Sequence, residues 1–187
     1  MSALETRELG EAACAFAREA GAILLEGYGR VHAPEKKGRI DLVTEFDRRS
    51  EALLLARIRA RFPDHAILAE ESGAGGASHA RVRWVCDPLD GTTNFAHNYP
   101  FFGVSVGVEV DGAMAAGAVY DPVRDEMFAA AAGHGATRNG AAIRVSSIAD
   151  PEAALLVTGF PYDVREHPER HVPLFQEFLL RAQGVRR

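Results

Sequence analysis

The chain has 187 residues, 47% of them hydrophobic and 25% charged, which suits a soluble globular domain with a sizeable core and gives no reason to split it. A net charge of −5 argues against broad electrostatic binding to nucleic acid or to an anionic membrane. Cys14 and Cys86 form no metal or disulfide pattern, and no stretch approaches a signal core or the roughly 20 apolar residues of a membrane span, so a reducing cytoplasm is the expected setting.

From Leu4 to about Tyr28, the residues Leu9, Ala13, Phe16, Ala20, Ile23 and Leu24 recur at three- and four-residue steps. That spacing predicts a helix, closed by Gly27 and Gly29. Glu35-Lys36-Lys37-Gly38-Arg39 is too charged and glycine-broken for core and reads as a mobile loop. Thr44 opens a second helix with Leu54, Ile58 and Phe62 along one face, stopped by Pro63. Ala66 to Ala69 is a short buried strand running into Glu70 and Glu71, and Ser72 to Ala80 is a glycine- and alanine-rich flexible loop.

Val82 to Cys86 reads as a strand running into Asp87. From Phe102 the pattern turns β-rich: Val104, Val106, Val108 and Val110 alternate with small or polar residues, and Asp111-Gly112 marks a hairpin. Ala116 to Tyr120, Glu126 to Ala131 and Ala141 to Val145 continue the meander, with Asn139-Gly140 as a further turn. Asp150-Pro151 reads as an N-cap followed by Pro at the first helical position, leading to a strand over Leu155 to Thr158. Val172 to Ala182 is a last amphipathic helix. The mixture predicts an α/β (α+β) protein with an antiparallel-rich sheet covered by helices.

Chemistry concentrates in Asp87-Pro88-Leu89-Asp90-Gly91-Thr92-Thr93-Asn94-Phe95. Two carboxylates three residues apart on a strand-to-helix turn can converge on one point. Pro88 stiffens the chain and removes a donor, leaving the Leu89 carbonyl free as an oxygen ligand. Gly91, Thr92 and Thr93 place backbone N–H groups at a helix start, where an anion is favoured. The plainer alternative is an ordinary turn in which Asp90 caps the helix and Asp87 solvates the strand end. Glu70 and Glu71 read alone as a solvated loop start. Parallel strands ending in Glu70 and Asp87 would instead present both acids at one sheet edge, where ligands bind in α/β folds. Thr44 and Asp47 match a capping box, a structural role in itself.

Asp41-Leu42-Val43-Thr44-Glu45-Phe46-Asp47, Ala69-Glu70-Glu71-Ser72 and Trp84-Val85-Cys86-Asp87-Pro88-Leu89-Asp90-Gly91-Thr92-Thr93-Asn94-Phe95, in this order, resemble the inositol monophosphatase family. The similarity runs on through His97-Asn98-Tyr99-Pro100-Phe101 and Ala118-Val119-Tyr120-Asp121 and covers essentially the whole chain. It implies a layered α-β-α-β-α sandwich of the sugar phosphatase type, with residues 1–187 forming the N-terminal portion of one such domain. It implies that Glu70, Asp87 and the Leu89 carbonyl bind a first Mg²⁺, and that Asp87 bridges to a second Mg²⁺ also held by Asp90. Glu70 and Thr92 would activate the attacking water, with Asp47 accepting from the Thr92 hydroxyl. Glu70, Leu89, Asp90, Gly91 and Thr92 would line the substrate, the Gly91 and Thr92 amides cradling its phosphate, and Lys36 would lie on a loop that helps close the site. The all-oxygen donor set selects a hard cation by itself, and the shortage of protein ligands favours Mg²⁺, which keeps several waters.

The resemblance further implies Mg²⁺-dependent hydrolysis of a small phosphorylated polyol, inositol monophosphate first, by a homodimer sensitive to lithium. The same chemistry on fructose 1,6-bisphosphate, histidinol phosphate or a 3′-phosphonucleotide is the alternative, and T-T-N-F rather than T-K-x-F leans toward the inositol branch. A non-enzymatic accessory factor of the transcription machinery is the reading from another class. Ala69 departs from the glycine usual before the paired glutamates. The family continues past Arg187 to a W-D-x-A-A-G segment whose aspartate serves the second metal, and this chain has no such segment. The expectation is a fragment of a longer protein that binds the first metal better than the second and is weakly active or inactive. The seven histidines read as surface or loop residues, Cys86 as a buried strand residue, and Trp84 and Phe95 as the floor of the site.

Overall fold

A computed structural model describes residues 3–30, 34–36, 42–75 and 80–186. The chain forms two compact units, Met1–Ile143 and Arg144–Arg187. In the first, helix α1 (Ala3–Gly27) buries Leu9, Ala12, Ala13, Phe16, Ala17, Ala20 and Leu24. The run of alanines lets the helix lie close against the sheet. At Gly21 the approach is tightest, since an added Cβ would fall 2.6 Å from the Tyr120 ring.

Part of the charged stretch read above as a mobile loop is extended structure. Strand β1 (Glu35–Lys36) pairs antiparallel with β2 (Leu42–Val43), Lys36 opposite Leu42. Arg48 grips the Glu35 carboxylate from helix α2, with Nη1 to Oε1 at 3.0 Å. Residues 37–39 of that stretch, and Asp41, lie outside the described residues. Helix α2 (Glu45–Arg61) starts at the expected capping box: Thr44 accepts from the Phe46 amide and Asp47 reaches back to the Thr44 amide. It ends with the Phe62 N–H bonded to the Ile58 carbonyl at 2.7 Å, one residue before Pro63.

The remaining strands of this unit are β3 (Ala66–Ala69), β4 (Gly73–Gly75), β5 (Val82–Asp90), β6 (Gly103–Val110), β7 (Ala113–Asp121), β8 (Glu126–Ala131), β9 (Gly135–Arg138) and β10 (Ala141–Ile143). They form one sheet in the order β10-β9-β8-β7-β6-β5-β3-β4. Its pairs are antiparallel except β3 with β5, which is parallel. Val104, Val106, Val108 and Val110 of β6 all face the core beneath the helices, while Ser105, Gly107 and Glu109 point the other way. The hairpins at Asp111-Gly112 and Asn139-Gly140 have positive φ at both residues, as two-residue turns of this hand require. The result is a mixed α/β fold with a mixed sheet flanked by helices, in line with the element pattern.

One of the histidines has a specific partner. Trp84 Nε1 donates to His65 Nδ1 at 3.0 Å, and the imidazole stacks on Phe62 with ring centroids 4.8 Å apart. Burial, then the charge of Arg81, lower the His65 pKa.

In the second unit Asp150 caps a 3-10 turn at Pro151–Ala153, followed by β11 (Leu155–Val157). A second 3-10 turn at Tyr162–Arg165 precedes the last helix, which starts at Pro168, four residues before the predicted Val172, and runs to Arg181 with Pro173 inside it. β12 (Gly184–Arg186) pairs parallel with β11. Phe160 meets Phe175 edge to face at 5.2 Å, yet none of the described residues of this unit is fully buried.

Candidate active site

Two adjacent parallel strands deliver the acids. Ala69 of β3 stands opposite Cys86 of β5, and the Glu70 amide adds one more rung to the Cys86 carbonyl at 3.2 Å. Glu70 and Asp87 therefore leave the same edge side by side, close enough that Glu70 raises the Asp87 pKa. β5 then shifts register against β6 between Asp87 and Asp90. The irregularity bends the strand and turns both aspartates toward one region. Buried Pro88 occupies the bend, where its missing N–H costs no ladder bond. The Leu89 amide donates to Asp87 Oδ1 at 3.1 Å, which sets that carboxylate's rotation.

Gly91 follows with φ +91°, a conformation that favours glycine, and an added Cβ would sit 3.1 Å from the Phe101 carbonyl. It caps helix α3 (Thr92–Ala96). Five residues sum to little macrodipole, so the free N–H groups of the first turn are what this helix offers an anion. Phe95 lies beneath, fully buried between Phe46 and Phe102. Trp84 does not share that floor. It packs with Phe16, Phe62 and His65, three residues back along β5, about 10 Å away at strand rise.

The Thr92 hydroxyl lies 2.9 Å from Asp47 Oδ1 and 3.0 Å from the Leu89 carbonyl oxygen. It has one proton to give, and a carboxylate is the stronger acceptor. Asp47 is wholly buried and its other oxygen accepts from the Thr44 amide and hydroxyl at 2.8 and 2.6 Å. With the Thr92 proton on Asp47, the Leu89 oxygen keeps its lone pairs and faces another oxygen at close range. That is an arrangement a cation relieves.

The acids carry the same imbalance. Burial raises the Asp87 pKa to about 8, helped by the charge and hydrogen bond of Glu70 and then by the charge of Asp90, against the opposing pull of the Leu89 amide. Burial and the neighbouring acids disfavour the ionised Asp87, a cost that a divalent cation bound beside it would offset. Among the described residues no three Asp, Glu, His or Cys side chains close on a single point. The expected ligand sets ask for no such triad: each ion would take two carboxylates from this chain with carbonyl and water as the balance, a set that suits Mg²⁺. The residues present fit that ion.

Cys86 is buried and its thiol is pushed up to about 12, first by burial and then by the charges of Glu51 and Asp87, so it stays an unreactive strand residue. Lys36 is placed by its backbone in β1. Two polar residues at the site escaped the sequence reading. Ser50 Oγ donates to the Pro88 carbonyl at 2.9 Å, and the Glu51 carboxylate accepts from the Glu71 and Ser72 amides at 2.8 and 3.0 Å. The available signal was the continuation of the buried α2 stripe, Leu54 and Ile58, by polar residues at 47, 50 and 51.

A model of the inositol monophosphatase family matches residues 5–187. An inositol-1-monophosphatase of Synechocystis sp. is 48% identical over 169 residues, which are 90% of this chain and 59% of that protein. The Nus factor SuhB of Escherichia coli is 38% identical over 173 residues, 91% of this chain and 65% of that protein. The solved inositol monophosphatase from Anabaena superposes with a TM-score of 0.85 at 44% identity, covering 97% of this chain and 66% of the other. The chain spans less than two thirds of the length of these curated relatives. With a match over nearly its whole length and a shared fold, the chain belongs to the inositol monophosphatase family.

Proposed function

We propose that this chain is the metal- and phosphate-binding portion of a Mg²⁺-dependent phosphomonoester hydrolase whose substrate is a small phosphorylated polyol, inositol monophosphate first. The observation that carries the reading is the meeting of the Glu70 and Asp87 carboxyls beside the Leu89 carbonyl and the Thr92–Asp47 pair. Glu70, Asp87 and the Leu89 carbonyl would hold a first ion, and Asp87 and Asp90 a second. Such ions would supply a lowered water pKa and charge neutralisation for the phosphate and the leaving oxygen.

The protein's own groups do the positioning. Thr92, its proton committed to Asp47, turns a lone pair toward the attacking water and accepts a hydrogen bond from it. Glu70 takes the proton as the water oxygen bonds to phosphorus and the ester P–O bond breaks. The amides of Gly91 and Thr92 donate to phosphate oxygens, and the exposed Asp90 stands at the rim where a sugar hydroxyl can donate to it. Lys36, whose backbone lies in β1, is the residue proposed to help close the site. Catalysis is then mainly alignment and charge neutralisation.

Titration of the purified chain with Mg²⁺ and Mn²⁺ tests the metal assignment: binding is expected, and Asp87→Asn should weaken it by at least about tenfold. A chain that binds neither ion sinks the proposal. Turnover of a panel of phosphate esters by the protein isolated from its source cells tests the substrate, with inositol monophosphate expected to lead. Faster turnover of fructose 1,6-bisphosphate, histidinol phosphate or a 3′-phosphonucleotide would move the assignment to that ester.

The 38% identity to a Nus factor supports a second reading, a protein-binding role independent of hydrolysis. It predicts that cells carrying Asp87→Asn keep their wild-type phenotype. The hydrolytic reading predicts that they lose it. Cytoplasmic location and a homodimer belong to the proposal as well. Among the described residues no helix is long and apolar enough to cross a membrane.

A further inference from the structure

Glu51 is a costly residue for its position. It lies two turns into α2, only 4% exposed, where a carboxylate forfeits nearly all hydration. What repays the burial is specific. Its two oxygens accept separately from consecutive backbone amides, Glu71 at 2.8 Å and Ser72 at 3.0 Å. Those amides belong to the turn joining β3 to β4, whose pairing resumes at Ala69 opposite Gly73. The turn's first residue is Glu70. Hydrogen bonds to a charged acceptor are about twice as strong as neutral ones, and two from neighbouring amides fix both the position and the tilt of the peptide between them.

The Glu51 carboxylate adds negative charge beside the site. Its field reaches the end of β5, where it contributes to the raised pKa of the Cys86 thiol.

We infer that Glu51 is a positioning residue of the metal centre, holding the Glu70 turn through the Glu71 and Ser72 amides so that the Glu70 carboxylate converges on Asp87. The inference rests on the metal-dependent reading above. Asp47, Ser50 and Glu51 form one polar face of α2 that fastens three places around the site: the α3 start through the Thr92 hydroxyl, the β5 bend through the Pro88 carbonyl, and the Glu70 turn through the Glu71 and Ser72 amides. The helix acts as a jig for ligands that all come from the sheet edge.

The experiment compares wild type, Glu51→Asp, Glu51→Gln and Glu51→Ala in the 187-residue chain. It reads Mn²⁺ affinity, the unfolding midpoint with and without Mn²⁺, and hydrogen exchange at the Glu71 and Ser72 amides. Glu51→Asp keeps the charge but withdraws the oxygens by about 1.5 Å, one carbon–carbon bond. It should weaken Mn²⁺ binding about tenfold, as outer ligands of metal sites do, and should speed exchange at both amides. Glu51→Gln keeps one acceptor oxygen and should fall between wild type and Glu51→Asp. Should Glu51→Ala fail to fold, Glu51→Asp and Glu51→Gln decide. Equal Mn²⁺ affinity in wild type and Glu51→Asp, with only the unfolding midpoint lowered, overturns the inference and leaves the metal reading standing. Wild-type chain that binds no Mn²⁺ overturns the metal reading itself, and the inference falls with it.

Discussion

At the scale of single residues, the Thr92 hydroxyl links a buried acid to the reacting edge. Thr92→Val removes one donor from a wholly buried Asp47 and should cost about 1–3 kcal/mol, read as a shift in the denaturant midpoint, whereas Thr92→Ser should keep most of the stability. Asp87 sets a pH dependence whose sign follows from its raised pKa. Below the ordinary carboxylate value both folded and unfolded chains hold the proton. Between that value and about 8 the folded state keeps a proton that the unfolded chain gives up. Stability of the metal-free chain should therefore fall as pH rises through this window and level off above it. Added Mg²⁺ should flatten the slope, since the ion replaces the proton. Unfolding midpoints at pH 5 and pH 8, with and without the ion, check this, and a metal-free midpoint that rises across the window contradicts it. The nearness of Glu70 and Asp87 was legible as acids ending two strands that could pair in parallel, whereas Asp47 read alone as a helix cap and joined the expected site only through the family resemblance. Ser50 and Glu51 were not, because their partners are backbone groups at Pro88, Glu71 and Ser72 that a sequence does not name, and only their place on the buried α2 stripe pointed to them.

At the scale of elements, local chemistry decided what could be read. The α2 capping box, the Asp111-Gly112 and Asn139-Gly140 hairpins and the Asp150-Pro151 cap involve neighbours in sequence, and each appears where its motif stands. β4 and β9 did not announce themselves. They are short and small-residued, and pairing with β3 and β8 makes them strands rather than any propensity of their own. The last helix starts four residues before the predicted Val172, at Pro168, where a proline in the first turn gives up no helical hydrogen bond. Gly103 offers a test of how the sheet supports the site. It pairs with Asp90, and an added Cβ would lie 2.9 Å from the Tyr120 carbonyl oxygen of β7. Gly103→Ala should push β6 and β7 apart at that point, costing about 1–3 kcal/mol and weakening cation binding. A chain with unchanged midpoint and affinity would contradict this.

At the scale of the whole chain, the two units differ in how much they bury. Met1–Ile143 contains a continuous core between two helices and an eight-stranded sheet. In Arg144–Arg187 even Leu155, Val157, Leu174 and Leu180 are at least 60% exposed. Segments with few buried contacts open first. Limited proteolysis should cut within residues 144–187 before any other described part of the chain and leave a product near residue 143 that still unfolds cooperatively. Early cleavage inside β5 to β7 would contradict this. The strand order was beyond sequence reading, because placing β3 beside β5 and β4 at the edge depends on pairing between distant segments rather than on local pattern.

The bond from Trp84 to His65 gives the molecule a built-in optical gauge. Trp84 is the one tryptophan of the chain, and a protonated imidazole can no longer accept its N–H and quenches indole emission. Fluorescence should dim as acid titrates His65, at a pH below that of a free imidazole, while His65→Gln should make the signal flat. The natural chain thus reports the state of its own interior without any label.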